Sequence, residues 1–269
     1  MPTPGKKKSP PRSVKKSAQA DRTDLIWGLH PVLELLTSSP HKIIELRLLK
    51  SNRSKAEDLI QLAEQEGIPY HFADTPFPGT PDQATLQGVQ ARIKPVSTIT
   101  LSDLLATQQN RATPALILAL DNIQDPHNFG AMIRSASAAG AIGIIYTKDR
   151  SAPLSGTVAK VAAGAIAHLP LCPVTNMATA LQQLKEAGFW IFGAEGSAET
   201  TIYHAKYDGP VCLVIGGEHN GIRPLVQKHC DFLVSIPMHS PIDSLNASVA
   251  AAVIMFEIVR QHTEAKHIG

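Results

Sequence analysis

The chain has 269 residues, of which 43% are hydrophobic and 18% charged, enough for one large globular domain or two ordinary ones. No apolar run approaches the roughly 20 residues that a membrane-spanning helix needs, so we expect no membrane association. The three cysteines, Cys172, Cys212 and Cys230, are far apart and form no CxxC pair. This spacing argues against a zinc site and predicts a reducing, cytoplasmic location.

The charge is distributed unevenly along the chain. Residues 1–22 contain seven basic residues and one acidic residue, a net charge of +6, whereas the whole chain carries +2. Residues 23–269 therefore carry −4, the difference between the two. The N-terminal segment also has four prolines and few apolar side chains, a composition that cannot bury enough surface to fold. We predict a disordered basic tail, which is either a solubilising leader or an arm that neutralises nucleic-acid phosphates.

A small α/β domain is predicted over residues 23–95. The stretch LIWGLHPVLELL favours a helix entered through Gly28 and Pro31, and SKAEDLIQLAEQEG favours an amphipathic helix that stops at Gly67. The stretches KIIELRLLK and GVQARIKPV are typical of strands. Residues 96–113 are polar without a clear period, which predicts an irregular linker.

From residue 114 to residue 269, short apolar runs alternate with helical segments. The runs are ALILAL (115–120), AIGIIYT (141–147), FWIFGA (189–194), PVCLVIG (210–216) and FLVSIPM (232–238). Continuous apolar strands separated by helices predict an α/β fold with a parallel sheet covered on both faces. Ligands in such folds bind at the carboxyl ends of strands, so the loops after these runs are the candidates for a site.

The first of these loops leads into a helix, DPHNFGAMIRSASAAG. Asp125 and Pro126 predict a turn, and Asn128 is a good candidate for the N-cap of the helix. Arg134 is flanked at helical spacing only by small residues: Gly130, Ala131, Ser137 and Ala138. Small neighbours allow a ligand or another backbone to approach the guanidinium closely. The alternative is an ordinary capped helix whose small face packs on the sheet while Arg134 points outward.

The second loop, VIGGEHNGI (214–222), exposes backbone groups at paired glycines that an adenine or a carboxylate can use. We interpret its His219 as a surface turn residue, because no second metal ligand stands at a suitable spacing. The chain has no GxGxxG, GxxxxGK[ST] or GxSxG sequence. The usual dinucleotide loop, the P-loop and the common hydrolase elbow are therefore excluded.

The third loop, SIPMHSPIDSLNASVAAAVIMFE (235–257), joins a strand that we expect to end at Met238 to a C-terminal helix. Ser244 is the predicted cap of this helix, with Asn246 in its first turn. The helix is apolar nearly all round through Val259, which predicts burial on both sides, in a subunit interface as readily as in the core.

Taken together and in this order, DPHNFGAMIR, IGGEHNG and IPMHSPIDSLNASVA resemble the three signature motifs of the SpoU (TrmH-like) branch of the SPOUT RNA methyltransferases. The resemblance covers residues 114–269, and residues 23–95 are similar to the L30e-like substrate-binding domain of bacterial large-subunit rRNA guanosine-2′-O-methyltransferases. It implies a parallel sheet with a C-terminal trefoil knot, an exception to the rule against threaded chains. It also implies S-adenosylmethionine as methyl donor without a metal, and a homodimer formed through the C-terminal helix.

The resemblance also assigns residues by position. The catalytic-site positions are matched by Asn128, Arg134, Glu218, Ser244 and Asn246. The cofactor-contacting positions are matched by Gly216, Ile236 and Leu245, with Met238 and Ala194 as neighbours. Ser240 departs from the pattern, because relatives commonly have glycine there. We expect either that Ser240 weakens cofactor binding or that Pro241 fixes the loop by other means.

The chemistry implied is methyl transfer to a ribose 2′-hydroxyl. A guanidinium has a pKa above about 12, so we expect Arg134 to hold a phosphate and stabilise the developing alkoxide while solvent or phosphate takes the proton. The basic segment 42–55 is a candidate RNA contact, the alternative being an ordinary solvated edge, and its cations are Lys42, Arg47, Lys50, Arg53 and Lys55. The expected substrate is a guanosine of 23S rRNA. The alternatives are a tRNA ribose and a non-catalytic RNA-binding scaffold.

Overall fold

The structure is a computed structural model that describes residues 24–50, 56–77, 87–94, 98–108, 113–154, 156–218, 220–239 and 244–268. Some predictions made from the sequence lie outside the described residues. They concern the basic tail, Arg53, Lys55, His219, Ser240 and Pro241.

The described chain forms two sheets with helices packed on them. The strands are β1 (Asp24–Trp27), β2 (Ile43–Leu49), β3 (Tyr70–Ala73), β4 (Val89–Ile93), β5 (Leu116–Asp121), β6 (Gly143–Thr147), β7 (Leu171–Val174), β8 (Trp190–Ala194), β9 (Val211–Gly216) and β10 (Phe232–Val234). The helices are α1 (Leu29–Ser38), α2 (Glu57–Gln65), α3 (Leu101–Ala106), α4 (Pro126–Ala138), α5 (Gly156–Ala162), α6 (Met177–Glu186), α7 (Pro224–Gln227) and α8 (Ala247–Ile268). Short 3-10 turns lie at Pro40–Lys42 and Ala165–Ala167.

The first sheet has the order β1-β4-β2-β3 and is mixed, with β4 antiparallel to both of its neighbours. Helices α1 and α2 bury Leu35, Leu36 and Leu59 in the same core as the sheet. The predicted entry of this helix through Gly28 is confirmed, since Gly28 is the N-cap of α1, but the residues before it form β1. Gly28 adopts φ 98°, which a helix cannot accommodate, so the residues before it pair with β4 and the helix begins at Leu29.

Residues 101–106 form a helix where an irregular linker was predicted. The Thr100 hydroxyl accepts the N–H of Asp103 while the Asp103 carboxylate accepts the N–H of Thr100, which is a capping box. Leu101 and Leu104 are buried against the second sheet, and Leu104 lies directly on Gly143. Six residues are too few to show a helical periodicity in the sequence, and packing on the sheet stabilises this helix.

The second sheet has six strands in the order β10-β8-β9-β5-β6-β7, and every pairing is parallel, which confirms the predicted α/β class. Its core on one face includes α3, α6 and α7, and its core on the other face includes α4, α5 and α8. Strand β7 was not predicted. Strand β10 ends at Val234 rather than Met238, because the N–H of Ser235 donates to the carbonyl of Thr200, 2.9 Å away, and the chain leaves the sheet.

The C-terminal helix is buried on one side only. Ala251, Ile254 and Met255 are buried in the core, whereas Val249 and Phe256 are 48% and 49% exposed. The prediction of burial on both sides is therefore not met within a single chain. Strand β1 and helix α1 pack against α5 and the turn after it: Lys160 of α5 lies near Gly28, and Glu34 of α1 lies against Gly164. Among the described residues, no helix is both long and apolar enough to cross a bilayer.

Candidate active site

Three of the five predicted cofactor residues, Gly216, Ala194 and Ile236, lie at or just beyond the strand ends at the carboxyl edge of the six-stranded sheet. Strands β5 and β9 are neighbours, with Asp121 paired to Gly216 at their ends, and the chain order reverses there. Ala194 ends β8 and pairs with Val234, two residues before Ile236. Such a reversal opens a crevice beyond the strand ends, where α/β folds bind ligands.

Helix α4 begins differently from the prediction. Its N-cap is Asp125, whose carboxylate accepts the N–H of His127 at 2.9 Å, and Pro126 occupies the first turn. Asn128 is therefore inside the helix, nearly buried, and its side chain is not used for capping. Its amide donates instead to the carboxylate of Glu218, with Nδ2 and Oε1 2.7 Å apart. This hydrogen bond joins the first and second motifs across 90 residues of sequence.

Arg134 lies on the exposed side of α4, and no hydrogen bond or ion pair links it to any residue that the structure describes. The hypothesis that its small neighbours exist for a ligand needs correction at Gly130. A Cβ there would lie 2.7 Å from Cβ of Val161 and 2.8 Å from the carbonyl oxygen of Val158. Gly130 is therefore needed for the close packing of α4 on α5. Ala138 alone of the four neighbours is exposed.

The glycine loop after β9 is tightly folded. The N–H of Gly221 donates to the carbonyl of Gly217 at 2.9 Å, and a side chain at Gly216 would collide with the backbone of Gly221 and Ile222. Behind the loop lies an ion pair that the sequence reasoning missed. Arg223 binds the fully buried Asp121 with its guanidinium, and hydrogen bonding to Asp121 raises the pKa of Arg223. The two residues are 102 positions apart, and nothing local in the sequence links them.

The third motif contains a second capping error. Asn246, not Ser244, caps α8: its side-chain oxygen accepts the N–H of Ser248 at 2.9 Å and that of Val249 at 3.4 Å. Ser244 is exposed just before the helix. Leu245 and Met238 are large apolar side chains that are 38% and 37% exposed. Helix α8 packs against α4, so the motif that begins α8 belongs to an element adjacent to the one that carries Arg134.

The cleft between α3, β7 and α6 and the thiol of Cys172 are weaker candidates for a functional site than the carboxyl edge. An open cleft of about 580 Å³ lies between α3, β7 and α6, but its groups Thr100, Asp103 and Asn176 are engaged as helix caps. Burial raises the pKa of the Cys172 thiol to about 11, so this residue stays protonated and unreactive at neutral pH. Among the described residues, no group of three or more His, Cys, Asp or Glu is placed to hold a metal ion.

Comparison with known proteins defines the class to which this fold and site belong. The model of the SpoU rRNA Methylase family matches residues 115–256, and the model of the RNA 2′-O ribose methyltransferase substrate-binding domain matches residues 25–98. A solved structure of the SpoU methyltransferase AviRb from Streptomyces viridochromogenes, in complex with AdoMet, shares the fold. Its TM-score is 0.70 at 23% identity, over 89% of this chain and 90% of that chain.

Individual relatives extend the match over nearly the whole chain. The 23S rRNA (guanosine-2′-O-)-methyltransferase RlmB of Salmonella typhimurium is 41% identical over 246 residues, which are 90% of this chain and 100% of the relative. The RlmB of Escherichia coli K12 is 40% identical over 243 residues, again 90% of this chain and 100% of the relative. The chain belongs to the SpoU rRNA methylase family.

Proposed function

We propose that the protein transfers a methyl group from S-adenosylmethionine to the ribose 2′-hydroxyl of a guanosine in 23S rRNA. The single observation that carries this proposal is the hydrogen bond between Asn128 and Glu218. It connects the first two motifs beyond the ends of β5 and β9, where the strand order reverses. The relatives that carry this activity in their names match the chain over their whole length. Both the methylase domain and the substrate-binding domain are present in this chain.

The cofactor residues proposed are Gly216, Ile236 and Leu245, with Met238 and Ala194 beside them. Their chemistry fits an adenosyl group: the exposed apolar side chains of Leu245 and Met238 can cover a flat ring, and glycine allows a ligand to approach the backbone closely. When bound, S-adenosylmethionine supplies an electrophilic methyl group on a sulfonium. The task left to the protein is to position the ribose oxygen and to stabilise charge.

Arg134 is the proposed electrostatic catalyst. Its guanidinium supplies a positive charge and up to five N–H donors in a planar fork. It is exposed and without a carboxylate partner among the described residues, so its charge is free to hold an RNA phosphate and to stabilise a developing alkoxide. Solvent or a phosphate oxygen then takes the proton.

The other catalytic-site residues are proposed to arrange the site. Glu218 fixes the Asn128 side chain through one amide hydrogen, and the second hydrogen of that amide remains for the substrate. Asn246 sets the start of α8 through its capping bonds, which orients Ser244 and Leu245 just before it. For Asn246, helix capping therefore accounts for the side chain without a contact to substrate.

The proposed partner is ribosomal RNA, held by the small domain. Of the basic segment predicted to contact RNA, Arg47 is part-buried with its guanidinium over the ring of Phe77, 3.9 Å from the centroid. Lys50 is exposed and paired to Asp74 at 2.8 Å. Desolvation lowers the pKa of Lys42, which is half-buried. Arg47 is thus held rigidly enough to serve as a contact, whereas Lys50 must first exchange its carboxylate for a phosphate.

Three further features complete the proposal. The exposed Val249 and Phe256 of α8 support a homodimer formed through that helix, since large apolar groups are rarely left in water side by side. A trefoil knot formed by the C-terminal chain is proposed from membership of the family, and residues 240–243 lie outside the described residues. The free cysteines support a cytoplasmic location.

Calorimetry on the full chain tests the cofactor site first. We expect S-adenosylmethionine to bind the wild type and to lose binding in Leu245→Arg. Ile44→Arg in β2 is the matched control, because Ile44 is 37% exposed and Leu245 38% exposed, and binding should be retained there. A folded wild type that binds no S-adenosylmethionine would favour the RNA-binding scaffold instead.

The substrate is tested by incubating the protein and cofactor with a 23S rRNA transcript or with bulk tRNA. Ribose methylation blocks alkaline cleavage at the modified nucleotide, so a gap in the hydrolysis ladder locates it. We expect a gap at a guanosine of the 23S transcript. A gap in tRNA alone would replace the proposed substrate with a tRNA ribose.

A further inference from the structure

A buried ion pair lies directly behind the glycine loop. Asp121 is the last residue of β5 and is fully buried, and Arg223 follows the loop 217–222. Nε of Arg223 is 2.9 Å and 3.0 Å from the two carboxylate oxygens, and Nη2 also donates to Oδ1. The backbone N–H of Arg223 donates to Oδ2 at 3.1 Å. One arginine thus satisfies both oxygens of the carboxylate with side-chain and main-chain donors together.

The backbone around this pair has little freedom. Gly217 lies against the carbonyl of Asn122, the residue after Asp121: a Cβ there would be 2.6 Å from the carbonyl oxygen. Asn122 itself has φ 68°, a left-handed conformation. Both ends of the glycine loop therefore rest on the same two residues at the end of β5, Gly217 by backbone contact and Arg223 by the ion pair.

We infer that Asp121 and Arg223 are a positioning pair that sets the shape of the loop 217–222, and through it the affinity for S-adenosylmethionine. This inference rests on the proposed function for its cofactor. Neither side chain is assigned a contact with the reacting atoms. Their effect passes through Gly216, whose pairing with Asp121 aligns the two strand ends, and through Glu218, which the loop presents to Asn128.

The chemistry of the pair suits this role. A buried carboxylate is costly unless it is both paired and hydrogen-bonded, so only the arrangement that brings the guanidinium and the N–H of Arg223 to Asp121 is favourable. An apolar pair of similar size would fill the space without directional bonds. A lysine would keep the charge but could not supply the planar fork.

The chain contains a matched pair that serves as control. Asp231 accepts the backbone N–H of Ile191 at 2.9 Å and the ammonium of Lys185 at 2.7 Å. Like Asp121, Asp231 accepts from a cation and from a main-chain donor together. It lies, however, at the amino edge of the sheet, because Asp231 comes just before β10 and Ile191 is near the start of β8.

The experiment compares full-length wild type with Arg223→Met, Arg223→Lys and Lys185→Met. Calorimetry gives the Kd for S-adenosylmethionine, and methyl transfer at varied cofactor separates KM from kcat. We expect Arg223→Met to weaken binding about 10- to 100-fold while kcat at saturating cofactor changes much less. Arg223→Lys should recover part of the affinity. Lys185→Met should lower Tm while leaving Kd within about twofold of wild type.

A second readout needs no cofactor. The amide of Gly221, bonded to the carbonyl of Gly217, should exchange its hydrogen faster in Arg223→Met than in wild type, and no faster in Lys185→Met. If exchange at Gly221 is unchanged by Arg223→Met, the inference is overturned, whatever the cofactor does. If exchange accelerates but wild type binds no S-adenosylmethionine, the loop role stands and the proposed function fails.

Arg223→Met could leave Asp121 too costly to bury for the chain to fold. The double variant Asp121→Leu/Arg223→Met removes both charges and keeps an apolar contact. We expect it to fold and still to bind S-adenosylmethionine weakly. Wild-type affinity in the folded double variant would overturn the inference, because it would show that the loop keeps its shape without the pair.

Discussion

At both the carboxyl edge and the amino edge of the six-stranded sheet, where the strands end and begin, an aspartate is paired with a cation. The two ion pairs differ in burial and in geometry. At the carboxyl edge, Asp121 is fully buried and receives the fork of Arg223. At the amino edge, Asp231 is partly exposed and receives the single ammonium of Lys185. A fork fixes direction, whereas an ammonium on a flexible stem mainly supplies charge.

The difference teaches where substitutions should affect chemistry and where they should affect only stability. The carboxyl edge carries glycine backbone in close contact and a hydrogen bond between two of the motifs. At the amino edge, the contacts of Asp231 with Lys185 and Ile191 hold the end of α6 to the start of β8. Residues of the first edge should therefore change catalysis more than unfolding, and residues of the second edge the reverse.

The largest effect is expected at Arg134. Replacement by alanine removes a charged donor from the site and should lower kcat by about 10²- to 10³-fold, with Tm unchanged because the side chain is exposed and unpaired among the described residues. Arg134→Lys keeps the charge without the fork and should recover little. Steady-state methylation and thermal unfolding measure the two quantities. Near-normal turnover by Arg134→Lys would refute a role for the fork.

The hydrogen bond between Asn128 and Glu218 should show the next largest effect. Bonds to charged groups contribute about 1.5–3 kcal/mol, so a double-mutant cycle on kcat/KM with Asn128→Ala and Glu218→Gln should give a coupling in that range. The control is the same cycle with Asn128→Ala and Lys185→Met. Because these residues lie at opposite edges of the sheet, the coupling should be near zero. Additive effects of Asn128→Ala and Glu218→Gln would mean that the two residues act independently.

Gly130 is expected to be an exception to this division. It lies in the first motif, but its substitution should affect stability, because it allows α4 to pack closely on α5. In an open helix, Gly→Ala stabilises by about 1 kcal/mol. Here the added Cβ meets Val158 and Val161, so we expect Gly130→Ala to lower the free energy of unfolding by about 1–3 kcal/mol. The control is Ala138→Ser on the exposed side, expected within about 0.5 kcal/mol of wild type. A stabilised Gly130→Ala would show that α4 can move away from α5.

These cases show what could be predicted from the sequence. The parallel sheet was predictable because strands buried on both faces leave continuous apolar runs, as Leu116–Asp121 and Val211–Gly216 do. The half-exposed edge strand Tyr70–Ala73 and the four-residue β7 leave no such run. The three loops were identifiable from their polar residues and glycines, and their family assignment is confirmed. The roles of the individual site residues remain predictions.

The capping errors have a physical origin. In Asp125-Pro126-His127-Asn128, both Asp and Asn are good caps, but proline prefers the first helical position and thereby indicates Asp125. That signal was in the sequence and was missed. No local signal could have revealed the pair of Asp121 and Arg223, because a contact across 102 residues depends on the order of strands in the sheet.

The smallest effect is expected from pH at the amino edge, where His262 of α8 lies against the turn before β9. The ring nitrogen Nε2 of His262 is 3.0 Å from the carbonyl oxygen of Tyr207 and donates to it, and burial lowers the pKa of His262 below its usual 6.5. The unfolded chain therefore takes up a proton before the folded chain does as the pH falls. The stabilisation is present above pH 6.5 and is lost as the pH falls toward the lower pKa of the folded state.

We expect the free energy of unfolding to decrease between pH 7.5 and 5.5 in the wild type, and to decrease less in His262→Gln, which cannot take up the proton. Urea unfolding at both pH values measures the difference. Glu257, earlier in α8, remains ionised over this interval, because its hydrogen bonds to Arg260 lower its pKa. If the free energy of unfolding falls equally in wild type and in His262→Gln, a group other than His262 causes the pH dependence. The Kd for S-adenosylmethionine of the folded protein should not differ between them, because His262 belongs to the edge that serves stability alone.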